Sequence, residues 1–222
     1  MRFPASPAVG LLLAVAAPWC AAQTPVPRWY ATAIGGASLI SDPRVTYVSP
    51  GGAVTSGTFA LDRGVMAGGS LGWYATPDWR VEGDYIYRSN KLRSSTVPGL
   101  DASPSDADYA SVLIMANLVR QFDGWQTTFA TFRPYVGAGV GIAQEIDTDS
   151  SIGGQQREFS GRRFAWQALA GIDWSYRSPW FAGVGLRYVD AGTVRLEGTN
   201  GGGELKADYK GLGLELRLGY RF

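Results

Sequence analysis

No histidine occurs in the 222 residues, and the one cysteine is Cys20. Imidazole is the usual base for activating a hydroxyl or a water near neutral pH, so hydrolytic arrangements built on histidine are ruled out. Cys20 lies in a segment with its own signature. Arg2 is the only charge ahead of the apolar run Val9 to Ala17 (VGLLLAVAA), which is followed by PWCAA and Gln23. A basic start, a short apolar run and small residues at the cleavage positions predict a signal peptide over residues 1–22, cut after Ala22. The run falls well short of the ~20 residues that a membrane-spanning helix needs. A lipid-anchored Cys20 is disfavoured, because Ala17 and Trp19 stand where that signal wants leucine and a small residue.

Cleavage leaves residues 23–222 with neither cysteine nor histidine, which excludes disulfides and thiolate or imidazole metal sites. It also leaves 19 basic and 19 acidic residues, so no global positive field draws the chain to nucleic acid. No cofactor is expected.

Long apolar runs and helical periodicity are equally scarce after residue 23. In their place, eight stretches alternate with period two or are rich in β-formers: residues 29–39, 59–75, 79–89, 109–122, 133–144, 163–176, 180–190 and 205–222. The last is the clearest. Leu212, Leu214, Leu216, Leu218, Tyr220 and Phe222 alternate with Gly213, Glu215, Arg217, Gly219 and Arg221. In a soluble sheet the apolar face would be core; in a membrane barrel it faces lipid and the polar face turns inward. One strand cannot separate the two.

The connections decide. They run long (40–58), short (76–78), long (90–108), medium (123–132), long (145–162), short (177–179) and long (191–204). Four long loops at one end and three shorter turns at the other predict an all-β fold, an eight-stranded antiparallel up-and-down transmembrane β-barrel. Aromatics gather at the short-turn end. WYATPDW and WSYRSPW place Trp73, Trp79, Trp174 and Trp180 around proline-containing turns, and Tyr30, Phe122, Trp125, Tyr220 and Phe222 fall at the same end. Such rings favour the membrane–water boundary.

The polar faces then point into the barrel: Arg80, Glu82, Asp84, Arg88, Asp173, Arg187, Glu215, Arg217 and Arg221 are the expected lumen network. Eight strands leave an interior only wide enough for side chains, where charges are expected to pair. The inward glycines of PYVGAGVGI are expected to make room for long Arg and Glu side chains from across the lumen. Ile86 and Leu169 break the phase by falling on the polar side, and the outward charges Arg63, Arg120 and Lys210 lie near strand ends. Glu82 and Asp84 are the nearest thing to a catalytic carboxylate pair, but Arg80 and Arg88 beside them favour an ion-pair network, and no enzyme activity is expected. The run GAGVG lacks the spacing and the strand-to-helix setting of a nucleotide loop. The acidic groups Asp101, Asp106, Asp108, Asp147 and Asp149 have no cation-loop spacing and read as solvated, with a divalent ion bridging to lipopolysaccharide phosphates as the alternative.

PYVGAGVG, MANLVRQF, LRYVDAG and the terminal LGYRF resemble the opacity-type surface antigens, the small outer-membrane barrels of the porin-like and OmpA-type superfamily. The resemblance spans roughly residues 29–222 on the strand pattern above. It implies a monomer in the bacterial outer membrane, in contact with its lipids and lipopolysaccharide, and a role for Phe222 in the signal read by the outer-membrane assembly machinery. It also implies a structural or surface-interaction role carried by four extracellular loops. The alternative is a narrow channel through a charged lumen. No loop ligand follows from the sequence.

Overall fold

The computed structural model describes residues 28–98, 108–152, 155–160, 162–175, 178–198 and 203–222. The expected signal peptide lies outside them. So do Asp101 and Asp106, and the side chains of Asp108, Asp147 and Asp149. Among the described residues there are twelve strands: β1 (Trp29–Ile40), β2 (Arg44–Val48), β3 (Val54–Leu61), β4 (Gly64–Tyr74), β5 (Trp79–Ser95), β6 (Asp108–Gln121), β7 (Trp125–Gln126), β8 (Thr131–Ile152), β9 (Gln155–Ser160), β10 (Arg163–Ser175), β11 (Trp180–Gly198) and β12 (Glu204–Arg221).

Eight of these close on themselves. The antiparallel order β1–β4–β5–β6–β8–β10–β11–β12 returns to β1, where Ala31 faces Tyr220 and Ile40 faces Gly211. Closure leaves this ring no unpaired edge, the condition for crossing a bilayer with strands.

Around this ring the outer face is apolar. Leu214, Leu216 and Leu218 are 54%, 63% and 54% exposed, while Glu215 and Arg217 beside them are buried. Burial of charge with exposure of leucine is the inverse of a soluble sheet. The apolar band also has a measure. Aromatic pairs stand eight residues apart on three strands: Trp79 and Tyr87, Trp166 and Trp174, Trp180 and Tyr188. Eight residues span about 27 Å along a strand, hence about 21 Å of height at a tilt near 40°. That is close to the roughly 25 Å band of outer-membrane barrels.

The long connections depart from expectation. They are built largely of strand. The segment between β1 and β4 folds as the hairpin β2–β3, which pairs β12 on one side and β5 on the other. Strand β8 runs on to Ile152 and turns back as β9, which pairs β11. Above the apolar band the wall therefore continues as a collar.

In the collar both faces exchange chemistry, and β12 shows it within one strand. Its inward positions read Leu205, Ala207, Tyr209, Gly211, Gly213, Glu215 and Arg217; its outward ones read Glu204, Lys206, Asp208, Lys210, Leu212, Leu214, Leu216 and Leu218. Up to residue 210 apolar side chains point in and charged ones out. Beyond it the assignment reverses. The inward collar residues Val45, Tyr47, Phe59, Leu61, Leu92, Val194, Leu196, Leu205 and Tyr209 form one apolar core. That core was hidden in the sequence because a membrane-barrel reading assigns apolar residues to lipid, whereas the collar follows the soluble rule.

A bulge shifts the phase of β11 at this exchange. On β11 the register shifts between Asp190 and Gly192, and Gly192 adopts a left-handed φ of 64°. Its amide donates to Asp190 Oδ1 at 2.8 Å. The extra residue turns Val194 and Leu196 inward and leaves Arg195 outside. Gly192→Val, forcing a β-branched residue into that region, is expected to cost about 1–3 kcal/mol in urea unfolding from lipid. An unchanged midpoint would show that the bulge is not pinned there.

Candidate functional site

The lumen of the ring holds a cross-linked ionic layer. Arg80 on β5 lies 2.9 Å from Glu82 and donates to Asp173 on β10 at 2.7 Å. Glu82 also accepts from Arg217 on β12 at 2.9 Å and from the Tyr30 hydroxyl on β1 at 2.5 Å. Arg187 on β11 reaches Asp84 at 2.6 Å, Glu215 at 2.9 Å and the Gln167 carbonyl oxygen at 2.8 Å. Asn117 on β6 donates to Asp84 at 2.7 Å. The Tyr135 ring of β8 packs against two guanidinium groups, Arg80 at 4.9 Å and Arg217 at 5.2 Å from its centroid. Seven of the eight ring strands contribute a side chain.

Glu82, Asp84 and Glu215 each meet more than one partner and Asp173 meets Arg80 alone, and this sharing is what makes burial of so much charge tolerable. Desolvation of one ion costs several kcal/mol, and a low-dielectric ion pair offsets that only with good geometry and further hydrogen bonds. Tyr30→Phe deletes one such bond to a charged acceptor, and a loss of about 1.5–3 kcal/mol is expected from urea unfolding in lipid. A wild-type midpoint would mean that water replaces the hydroxyl.

Of the nine residues expected in the lumen, Arg80, Glu82, Asp84, Asp173, Arg187, Glu215 and Arg217 fall in this network. Two do not. Arg221 is only partly buried at the short-turn end, with its guanidinium 4.8 Å from the centre of the Phe181 ring. Arg88 is fully buried but makes no hydrogen bond or ion pair with any described residue. The expectation that every lumen charge pairs fails there. The glycines of β8 also act differently from expectation. A Cβ at Gly139 would overlap Asn117 Oδ1, and one at Gly137 or Gly141 would press on Val119 or Met115 at 2.9 and 2.8 Å. They make room for neighbours on β6, not for arginines from across the lumen.

Arg88 owes its place to different glycines. Cβ atoms at Gly211 and Gly213 of β12 would stand 2.9 Å from its Nη1 and 2.7 Å from its Nη2. Its cross-strand partners are Met66 and Ser111. Ile86, the next inward residue of β5, separates it from Asp84, within an apolar layer that includes Ile34, Met66, Leu113 and Met115. Ser111 Oγ lies 2.6 Å from the Tyr209 hydroxyl, and Tyr209 stacks on Tyr109 at 6.0 Å. No carboxylate among the described residues is bonded to Arg88 to offset the several kcal/mol that burying the ion costs.

The residues of the expected girdle lie at the short-turn end. Trp79, Trp180 and Tyr220 are exposed, with Trp73 and Trp174 half-buried. Trp180 meets Tyr220 edge-on at 4.9 Å, and Trp29 lies 6.5 Å from Trp73. Arg120 extends over Trp79 and Phe122, and Lys210 at the collar boundary lies 3.5 Å from Asp190. Phe222 joins this end, its amide donating to the Trp29 carbonyl at 2.9 Å. Tyr30 does not belong to the girdle. It points inward to Glu82, and no local signal separates it from its outward neighbours.

The sequence profile of the outer membrane protein beta-barrel domain matches residues 8–222. No curated protein matches the chain by sequence. Among solved structures, the fold is similar to Neisserial surface protein A (NspA), with 18% identity over 87% of this chain and 97% of that one and a TM-score of 0.51. It is similar to OprG from Pseudomonas aeruginosa, with 15% identity over 88% and 97% and a TM-score of 0.60. AlkL, solved in DMPC lipid bilayers, shares 14% identity over 94% and 97%, with a TM-score of 0.53. At these identities the likeness is one of fold.

Proposed function

Because the chain belongs to the outer membrane protein beta-barrel domain family, we propose that it serves as a closed, non-enzymatic scaffold that presents its collar to the outside of the cell. The protein resides in the bacterial outer membrane, with its leucine-rich band in lipid. The observation that carries the closed reading is the ionic layer. Arg80, Glu82, Asp84, Arg187, Glu215 and Arg217 are all at most 3% exposed, and their bonds run between strands on opposite sides of the barrel. Side chains tied across the lumen in this way support a barrel without a continuous water path.

The collar supplies the surface-interaction half of the proposal. Its outer face carries Thr46, Ser56 and Thr58, with Arg195 near Glu204 and Thr193 bonded to Asp208. A rigid, hydrated surface of mixed charge is suited to contacts with a partner outside the cell. Recognition then belongs to strand-borne side chains as much as to loops.

Two measurements test this. In planar bilayers the purified protein is expected to be silent; sustained single-channel currents that change with Glu82→Gln or Arg217→Met would replace the scaffold by a channel. On intact cells, Ser56→Cys is expected to react with a membrane-impermeant maleimide and Gln126→Cys at the short-turn end is not. The reverse pattern would overturn the presentation of the collar.

A further inference from the structure

We propose that Arg88 is the core of an anion-binding site enclosed in the barrel, and that its ligand is a small monovalent anion of halide size. The site stands apart from the ionic layer and holds whether or not the lumen conducts. Three nitrogens of one guanidinium, Nε, Nη1 and Nη2, are buried without a hydrogen-bond partner among the described residues. The large majority of buried polar side-chain atoms in folded proteins have a partner, and a buried charge needs a counter-charge.

The surroundings are built for an anion and against a carboxylate. The ionic layer sets three arginines, Arg80, Arg187 and Arg217, among four carboxylates, Glu82, Asp84, Asp173 and Glu215, and none of these carboxylates is bonded to Arg88. The cross-strand partners of Arg88, Met66 and Ser111, are neutral. Ser111 faces it across the β5–β6 ladder, and of the Ser111–Tyr209 hydroxyl pair only one proton is used within the pair. The buried Tyr109 hydroxyl, one inward position further along β6, has no hydrogen-bond partner among the described residues. Guanidinium N–H groups with hydroxyl donors close by are an anion's coordination set.

Size follows from the packing. Met66, Gly211 and Gly213 close on the guanidinium, so closely that a methyl at either glycine would press on it. Packing this close argues against a phosphate, a sugar acid or a lipid headgroup, and a halide such as chloride or bromide is therefore the proposed ligand. The same contact shows how the site is made: the two glycines of β12 leave the volume that the guanidinium fills.

The test uses the whole folded protein in a zwitterionic detergent at constant sodium concentration, exchanging gluconate for chloride. The unfolding midpoint is expected to rise saturably, by roughly 5–10 °C at a hundredfold excess of chloride over its dissociation constant. Chloride-35 NMR is expected to show excess line width with the wild type, competed by bromide and not by gluconate. Arg88→Met is expected to abolish both effects, while Arg120→Met, a change on the outer face, retains them. Should Arg88→Met fail to fold, Gly213→Leu displaces the guanidinium with the charge kept and is expected to lose the excess line width. Equal midpoints in chloride and gluconate, or line broadening that survives both substitutions, would overturn the site.

Discussion

Arg187→Met will lower the stability of the barrel in lipid by about 3–5 kcal/mol, the range seen when one partner of a buried ion pair is removed. The size follows from what the substitution leaves behind. Arg187 alone links β5, β10 and β12, through Asp84, Gln167 and Glu215. Methionine fills much the same volume but leaves the side of both carboxylates that Arg187 held bare in a closed interior. Urea unfolding of the folded protein in vesicles, followed by tryptophan fluorescence, reads the loss. The triple variant Arg187→Met, Asp84→Leu, Glu215→Leu gives the decisive contrast. It removes the ions together and is expected to recover much of the lost stability, since apolar replacement of a whole buried ion cluster is often neutral or better. A single variant that unfolds like the wild type would mean that the lumen is hydrated, and the closed scaffold would fall with it.

The second large effect is on the outer face. Leu216→Arg is expected to cost about 2–4 kcal/mol, since Leu216 is 63% exposed and lies midway between Leu212 and Tyr220, the ends of the apolar stretch on β12. Val140→Arg is expected to cost no more than about 1 kcal/mol despite a comparable 53% exposure. Val140 pairs with Trp166 near the upper edge of the band, where an arginine can extend to the interface. Solvent exposure alone predicts equal penalties for the two, and a soluble barrel predicts none. Equal or negligible losses would therefore remove the membrane assignment of this face.

Much of this was legible in one dimension. Glu215 and Arg217 declared themselves because leucines flank them at period two, and in a chain whose strands end in tryptophan that phase has one reading. What stayed hidden depends on neighbours remote in sequence. Tyr30 sits among girdle residues and differs from them only in meeting Glu82, 52 residues away. The isolation of Arg88 depends on which residues of β12 the barrel's stagger brings opposite it, and Gly211 and Gly213 give no sign of that locally. The collar was hidden for another reason. Its apolar residues were present in the expected alternation, but the rule that turns them toward lipid stops at residue 210. Ile86 and Leu169, set aside as irregular phase, were a legible trace of apolar side chains inside, since both are buried.

The exchange of faces at Lys210 gives the barrel a waterline. Were the molecule to ride one residue pair lower, Lys210 and Asp190 would enter oil; were it to rise, Leu212 and Tyr188 would be wetted by the aqueous phase. A uniformly greasy cylinder could bob through several ångströms at little penalty. This one is ballasted, so its collar stands at a set height above the bilayer even where the surrounding lipids thicken or thin.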